Sequence, residues 1–257
     1  MKRPAIWVVT LLLAVLSACG EEHGLEENLR DDAEPLSDTS VPSADPEPTS
    51  GPAREVAVET TVAFTEGPTV AEDGRILAAV KDAVGDRAVV VAGVGTNATA
   101  HSVELAQQAE KIGVDGILLV TPYYNKPGQA GVLHHFRTVV ESADLPVMLY
   151  DVPGRTGTTI AMETYEQAIA WDRVVAVKDA VGDLVRAVRL GQMGYAVYSG
   201  DDEANLGYLA HGAVGVVSVV GHVAGRELRA MADAHARGDN AAALEIFTRM
   251  LPAIDAV

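Results

Sequence analysis

The chain has 257 residues, 48% of them apolar and 21% charged, with a formal net charge of −17. That length and apolar content suit one large domain or two small ones and exclude a wholly disordered chain. Cys19 is the sole cysteine, which excludes a disulfide-stapled scaffold and a Cys-rich metal site, and the acidic balance argues against a nucleic-acid partner, whose phosphates need a surplus of Lys and Arg.

The charge is unevenly placed. Met1–Gly20 carry +2, Glu21–Glu59 carry twelve acids against two bases, and Thr60–Val257 carry 24 acids against 15 bases. Lys2 and Arg3 precede an apolar stretch, Ile6–Leu16, too short for a stable membrane-spanning helix and fitting the core of a secretory signal. Leu16-Ser17-Ala18-Cys19-Gly20 then resembles a bacterial lipoprotein processing site, with Cys19 as the lipidated residue. Pro35, Pro42, Pro46, Pro48 and Pro52 follow among Ser, Thr, Asp and Glu. Such a stretch cannot bury enough apolar surface to offset the entropy of ordering it, and it reads as a self-repelling tether. The expected organisation is a signal segment over 1–20, a linker over 21–54 and a folded domain over 55–257.

From Arg54 onward, β-branched runs alternate with Ala-, Leu- and Glu-rich segments. Strands are predicted at Ala88–Ala92, Gly116–Val120, Pro146–Tyr150, Arg173–Val177, Tyr195–Tyr198 and Val214–Val219, and helices at Ala100–Gly113, Gly128–Ser142, Met162–Trp171, Gly182–Met193 and Asp202–His211. Continuous apolar runs, rather than alternation, are what strands covered on both faces require. Every run ends in polar or turn residues, and barrels gather reactive groups from many strand ends on one rim. A TIM (β/α)8 barrel is therefore expected, with an open doubly wound sheet as the second architecture.

Val-Lys-Asp-Ala-Val-Gly-Asp occurs twice, at Val80–Asp86 and at Val177–Asp183. The first copy follows helix formers, so Lys81 belongs on a solvated helix end. The second follows Arg173-Val174-Val175-Ala176, which places Lys178 at the end of a buried strand. A lysine in an apolar barrel mouth is desolvated, which favours the free amine that attacks carbonyls. The competing reading is a lysine paired with Asp179 or Asp183. Tyr150 and Tyr124 fall at other strand ends, where phenols relay protons or merely pack. Arg155, in Gly154-Arg155-Thr156-Gly157, has the planar fork that suits a carboxylate, or forms an ordinary loop ion pair. Gly93-Val94-Gly95-Thr96-Asn97-Ala98 matches a dinucleotide fingerprint only weakly, lacking its context. His134 and His135 are neighbours on a helix and point apart, so no metal site is expected; His222 has no assigned role.

Together, Val91–Asn97, Val120–Pro127, Leu149–Gly157, Val177–Ala180 and Tyr198–Asp202 resemble consecutive motifs of the dihydrodipicolinate synthase family, in order, over residues 75–257. The resemblance implies a Schiff-base lyase of lysine and diaminopimelate biosynthesis that condenses pyruvate with aspartate semialdehyde and needs no metal or organic cofactor. Lys178 would be the imine-forming amine, Tyr150 the proton-transfer tyrosine, Tyr124 a tyrosine donated across a dimer interface, and Arg155 the arginine for the aldehyde substrate's carboxylate. Gly200 and Val217 would line the pyruvate side by backbone contact. A homo-oligomer, dimer or tetramer, is implied.

The family's first strand ends near Thr-Pro-Phe and its second in Gly-Thr-Thr-Gly-Glu-Ser. Here the nearest counterpart is Glu59-Thr60-Thr61, followed by Val62-Ala63-Phe64, which makes Thr60 and Thr61 the candidates for the pyruvate carboxylate. Only one strand candidate, Glu55–Thr61, precedes the Ala88 run, so the barrel is expected to lack its first strand, and the chain to stop short of the C-terminal helices that normally follow the barrel. An open barrel exposes unpaired edges. Such a remnant would fold poorly, recruit the linker as an edge, or be catalytically impaired. Two alternatives stand beside the synthase: another pyruvate-dependent aldolase acting on sialic acids or keto-deoxy sugar acids, and a catalytically dead, tethered binding lipoprotein. The leader points to the cell envelope through a lipid anchor, the family resemblance to the cytoplasm.

Overall fold

The six apolar runs beyond residue 87 become six parallel strands. The computed structural model describes residues 70–257 and, before them, the backbone of residues 7–11 and 57–59. In chain order the elements are β1 (Trp7–Leu11), β2 (Ala57–Glu59), α1 (Val70–Val84), β3 (Val91–Gly93), α2 (Thr99–Ile112), β4 (Gly116–Val120), α3 (Gln129–Val140), β5 (Val147–Asp151), the single turn α4 (Pro153–Thr156), α5 (Met162–Ala168), β6 (Val174–Asp179), α6 (Leu184–Met193), β7 (Ala196–Ser199), α7 (Asn205–Ala210), β8 (Gly215–Ser218), α8 (Gly221–Ala236) and α9 (Asn240–Ile254). The predicted helices and strands lie within a few residues of these bounds. The exceptions are the segment after Met162, which ends at Ala168, and the one after Asp202, which opens as a 3-10 turn over Asp202–Ala204.

The sheet runs β2-β1-β8-β7-β6-β5-β4-β3 with every ladder parallel. β2 comes alongside β3, so the sheet curls round on itself, with no β2–β3 ladder among the described residues. This is the barrel rather than the open sheet. The expectation of seven strands is modified in one respect: the place of the first strand is taken by Trp7–Leu11, part of the apolar stretch read as a signal core, whose backbone pairs with Gly215–Ser218 of β8 and with Ala57–Glu59 of β2. The strand predicted at Glu55–Thr61 is β2. Cys19, Thr60, Thr61 and the whole 21–54 linker lie outside the described residues.

Period-two alternation divides the strands into two apolar sets. Leu118, Met148, Tyr150, Val152, Ala176 and Val217 cluster inside the barrel, whereas Ile117, Leu119, Val147, Leu149, Val177 and Val197 face the helix layer with Ala106, Phe136, Tyr165 and Leu190. A third cluster joins Val216 to Leu228, Met231, Met250 and Ile254, seating α8 and α9 beside β8. Local chemistry sets the helix ends. Asp183 caps α6 by accepting a hydrogen bond from the Arg186 backbone N–H at 3.0 Å, and Gly194, at φ 109°, stops it.

The repeated heptapeptide divides as its contexts dictate. In the first copy Lys81, in the last turn of α1, pairs with Asp115 at 2.7 Å on the surface. In the second, Lys178 is part of β6 and 1% exposed.

Candidate active site

Lys178, Tyr150 and Tyr198 stand side by side on β6, β5 and β7, Tyr150 in register with Lys178 and Lys178 with Tyr198. All three share the strand parity of the barrel interior, near the C-terminal ends of their strands. The Lys178 ammonium lies 4.0 Å from the centroid of the Tyr150 ring, within cation–π distance. Val217, 1% exposed, joins Tyr150 in the same interior cluster. Gly200 follows β7 and leaves room for the lysine stem: a Cβ there would come within 2.8 Å of Lys178 Cγ and 3.0 Å of Cε. Its backbone N–H donates to Asp179 O at 2.8 Å, holding the turn against β6. The lysine, the tyrosine, Val217 and Gly200 are thus brought together as the sequence suggests, although the visible role of Gly200 is to make space for Lys178.

The reading that pairs Lys178 with Asp179 or Asp183 is corrected. Strand alternation turns Asp179 to the opposite face, where its Oδ1 accepts from Arg186 at 2.9 Å, and Asp183 caps α6. Arg155 lies in α4, directly after β5, and is exposed. Its guanidinium makes no ion pair among the described residues. Tyr124, in the loop after β4, is 85% exposed and adopts φ 69°, a left-handed conformation uncommon outside glycine and asparagine. Within one chain its ring stands in solvent. The loop carrying it is fastened by the Asn125 side-chain amide donating to Asn97 O at 3.1 Å.

Sequence reasoning missed the groups behind the site. Asp151 and Asp179 immediately follow Tyr150 and Lys178, are fully buried, and face the helix layer. Arg186 reaches both, at 2.5 Å to Asp151 Oδ2 and 2.9 Å to Asp179 Oδ1. The same guanidinium donates to Tyr165 Oη at 3.2 Å and Ile160 O at 3.3 Å. Burial is the main influence on Asp151 and pushes it up to about 6; Arg186 and the Ile160 N–H pull it back, and Asp179 adds to the rise. Asp179 is raised for the same principal reason. One guanidinium faces two carboxyls, so full ionisation would leave a net negative charge in the interior. A signal existed: α6 carries an arginine at 186, beside Ala187 and one turn before Leu190 on its buried face. Thr121, after β4, also has a buried hydroxyl without a hydrogen-bond partner among the described residues.

A surface recess of about 340 Å³, lined by residues that include Trp171 and Arg173, opens at the other end, where β5 and β6 begin. It is remote from the lysine.

The family model described as the dihydrodipicolinate synthetase family matches residues 66–257. The chain belongs to that family. Membership extends the sequence-based resemblance, drawn from residue 75, back by nine residues. The 4-hydroxy-tetrahydrodipicolinate synthase 2 of Streptomyces coelicolor is 57% identical over 190 residues, which cover 73% of this chain and 64% of that protein. The 4-hydroxy-tetrahydrodipicolinate synthase of Kineococcus radiotolerans is 55% identical over 192 residues, covering 74% and 62%. Among solved structures, the 4-hydroxy-tetrahydrodipicolinate synthase of Methylacidiphilum fumariolicum is similar with a TM-score of 0.73 at 33% identity, covering 78% of this chain and 68% of its own. The Cyanidioschyzon merolae structure gives 0.72 at 38% identity, covering 78% and 70%. The chain therefore spans under two thirds of the length of these two curated members of the dihydrodipicolinate synthetase family, while its barrel is of their kind.

Proposed function

We propose that the chain is a Schiff-base lyase of the 4-hydroxy-tetrahydrodipicolinate synthase type, condensing pyruvate with aspartate semialdehyde. The observation that carries this reading is Lys178, buried at the C-terminal end of an interior barrel strand with its amine against the face of Tyr150. A buried lysine amine at a strand end is placed to act as a nucleophile toward a carbonyl. Lys178 Nζ adds to the keto carbon of pyruvate, water leaves, and an imine remains. Loss of a methyl proton gives the enamine, whose terminal carbon bonds to the aldehyde carbon of the second substrate. The substrate's own amine then attacks the imine carbon and displaces Lys178, closing the ring.

In this scheme Tyr150 carries protons to and from the reacting atoms. Arg155, exposed on the loop above β5, takes the carboxylate of the aldehyde substrate by its bidentate fork. Thr60 and Thr61 are assigned to the pyruvate carboxylate, and Gly200 and Val217 to the pyruvate side. Tyr124, too exposed to act within its own chain, is assigned to the site of a second copy, which makes the active form a homo-oligomer. The chain supplies the reactive amine itself, and the scheme calls on no metal or organic cofactor. The sialic acid, sugar-acid and non-catalytic alternatives draw no support from the relatives named above, which are synthases.

Localisation turns on the leader. Lys2, Arg3, the apolar stretch Ile6–Leu16 and Cys19 support placement at the cell envelope through a lipid anchor, and the family resemblance supports the cytoplasmic alternative.

The test is trapping. Incubated with pyruvate and reduced with borohydride, the protein is expected to carry a carboxyethyl group on Lys178, read by peptide mass spectrometry. Folded protein that gains no such group would sink the proposal.

A further inference from the structure

Behind the reactive pair lies a second pair, one residue further along each strand. Tyr150 is in register with Lys178, and Asp151 with Asp179. Because side chains alternate along a strand, the first pair faces the barrel interior and the second faces the helices. Two carboxyls held side by side between adjacent strands repel, and both are fully buried. Arg186, in the first turn of α6, spans them with one nitrogen to each. Its own position is fixed twice over. The Arg186 backbone N–H donates to the Asp183 cap, and the guanidinium is held against Tyr165, 5.2 Å from the ring centroid. Further bonds tie the carboxyls to the surrounding loops: Ile160 N–H donates to Asp151 Oδ2 at 3.0 Å and Val181 N–H to Asp179 Oδ1 at 3.0 Å.

We propose that Arg186, bridging Asp151 and Asp179, is a positioning residue for the reaction, fixing β5 against β6 from the helix side so that Tyr150 is held over the Lys178 amine. The proposal rests on the reading of Lys178 as the imine-forming residue. Simple stabilisation is a poor account of the cluster, since buried ion groups are expensive and apolar replacements of similar volume are often as stable or more so. What an apolar cluster does not supply is direction. A planar fork with two fixed acceptors sets both the spacing and the register of the strands that carry it. A rim displacement of about 1 Å at a reacting group costs on the order of a hundredfold in rate. The guanidinium reaches no substrate in this arrangement and acts only through the two strands.

The full-length protein is compared with Arg186→Gln and Arg186→Lys. Folded fraction is read by circular dichroism and thermal melting, and kcat, KM for pyruvate and the rate of borohydride trapping at Lys178 are measured per folded molecule. The expected result for Arg186→Gln is a fall in kcat and in trapping rate of about ten- to a hundredfold, with KM for pyruvate moving less than about threefold and part of the loss recovered in Arg186→Lys. Unchanged kcat and trapping rate in folded Arg186→Gln overturn the proposal, as does a loss that follows the unfolded fraction alone. Should Arg186→Gln fail to fold, Asp151→Asn, which preserves size and an acceptor oxygen while removing charge, is read by the same criteria. Failure of the wild-type protein to trap pyruvate refutes the Schiff-base reading and this proposal with it; a wild-type adduct beside an unaltered Arg186→Gln refutes this proposal alone.

Discussion

The Lys178 ammonium lies 4.0 Å from the centre of the Tyr150 ring, on the neighbouring strand and in register with it. The lysine is thereby packed by its contact with the face of the ring. Packing and proton transfer are separable functions of one side chain.

Tyr150→Phe separates them. The ring and its contact with the amine persist, and the hydroxyl is lost. The expected outcome is an enzyme of near-normal stability whose kcat falls by about a hundredfold or more, and which still yields a pyruvate adduct at Lys178, more slowly. Steady-state kinetics and time-resolved trapping check both parts.

Gly200→Ala tests the space around the lysine stem. Its new methyl would lie 2.8 Å from Lys178 Cγ, so the stem must move. Overpacking of this kind costs about 1–3 kcal/mol. Reduced thermal stability is expected together with slower adduct formation, and an alanine variant that traps pyruvate at the wild-type rate would show that the contact does not constrain the amine.

Stability toward acid should depend on His135. The ring is buried, its Nδ1 is 2.9 Å from Thr99 Oγ1, and burial, with a smaller contribution from His134, pushes it down from 6.5 to about 4. The folded state therefore binds a proton less readily than the unfolded chain. The stability gained by keeping the ring neutral is complete above pH 6.5 and is lost as pH falls toward 4, with a ceiling of about 3 kcal/mol. Asp151 runs the other way: raised from 3.8 to about 6, it weakens the fold as pH rises through that range. Urea unfolding of His135→Gln at pH 4, 5 and 6.5 should show a smaller loss toward acid than wild type, or a reversed slope once Asp151 is unopposed.

The amino terminus offers a test on the scale of the whole sheet. Trp7–Leu11 is laddered to β8 on one side and β2 on the other. Deleting residues 1–20 would expose the β8 edge, and unpaired edges promote association. Aggregation by light scattering and a lower melting temperature are expected. Intact mass of the protein recovered from its host decides the placement: a lipid-modified chain beginning at Cys19 is expected for the envelope, and residues 1–18 still attached would favour the cytoplasm.

Several particulars of the site were legible in the linear chain. The continuous run Arg173–Val177 located β6, and the polar residues at its end put Lys178 on the rim. The same run explains why Lys178 and Lys81 differ although they share seven surrounding residues: burial is inherited from the flanking segment, which the sequence displays. The shortage of strands before Ala88 was also legible. That Trp7–Leu11 pairs beside β8 was not, because an apolar stretch such as Ile6–Leu16 fits a signal core and a parallel strand equally well in sequence.

Sequence by itself determined which residues are apolar enough to be strands, where each strand ends, and hence that Tyr150, Lys178 and Gly200 meet at one rim; these follow from periodicity, a local property. Only the tertiary structure decided the partners of Asp151 and Asp179. Their ion pairs to Arg186 span 35 and seven residues and depend on α6 lying across two neighbouring strands. No local pattern encodes that crossing, since the energy of a buried charge is set by which opposite charge the fold brings within hydrogen-bond reach.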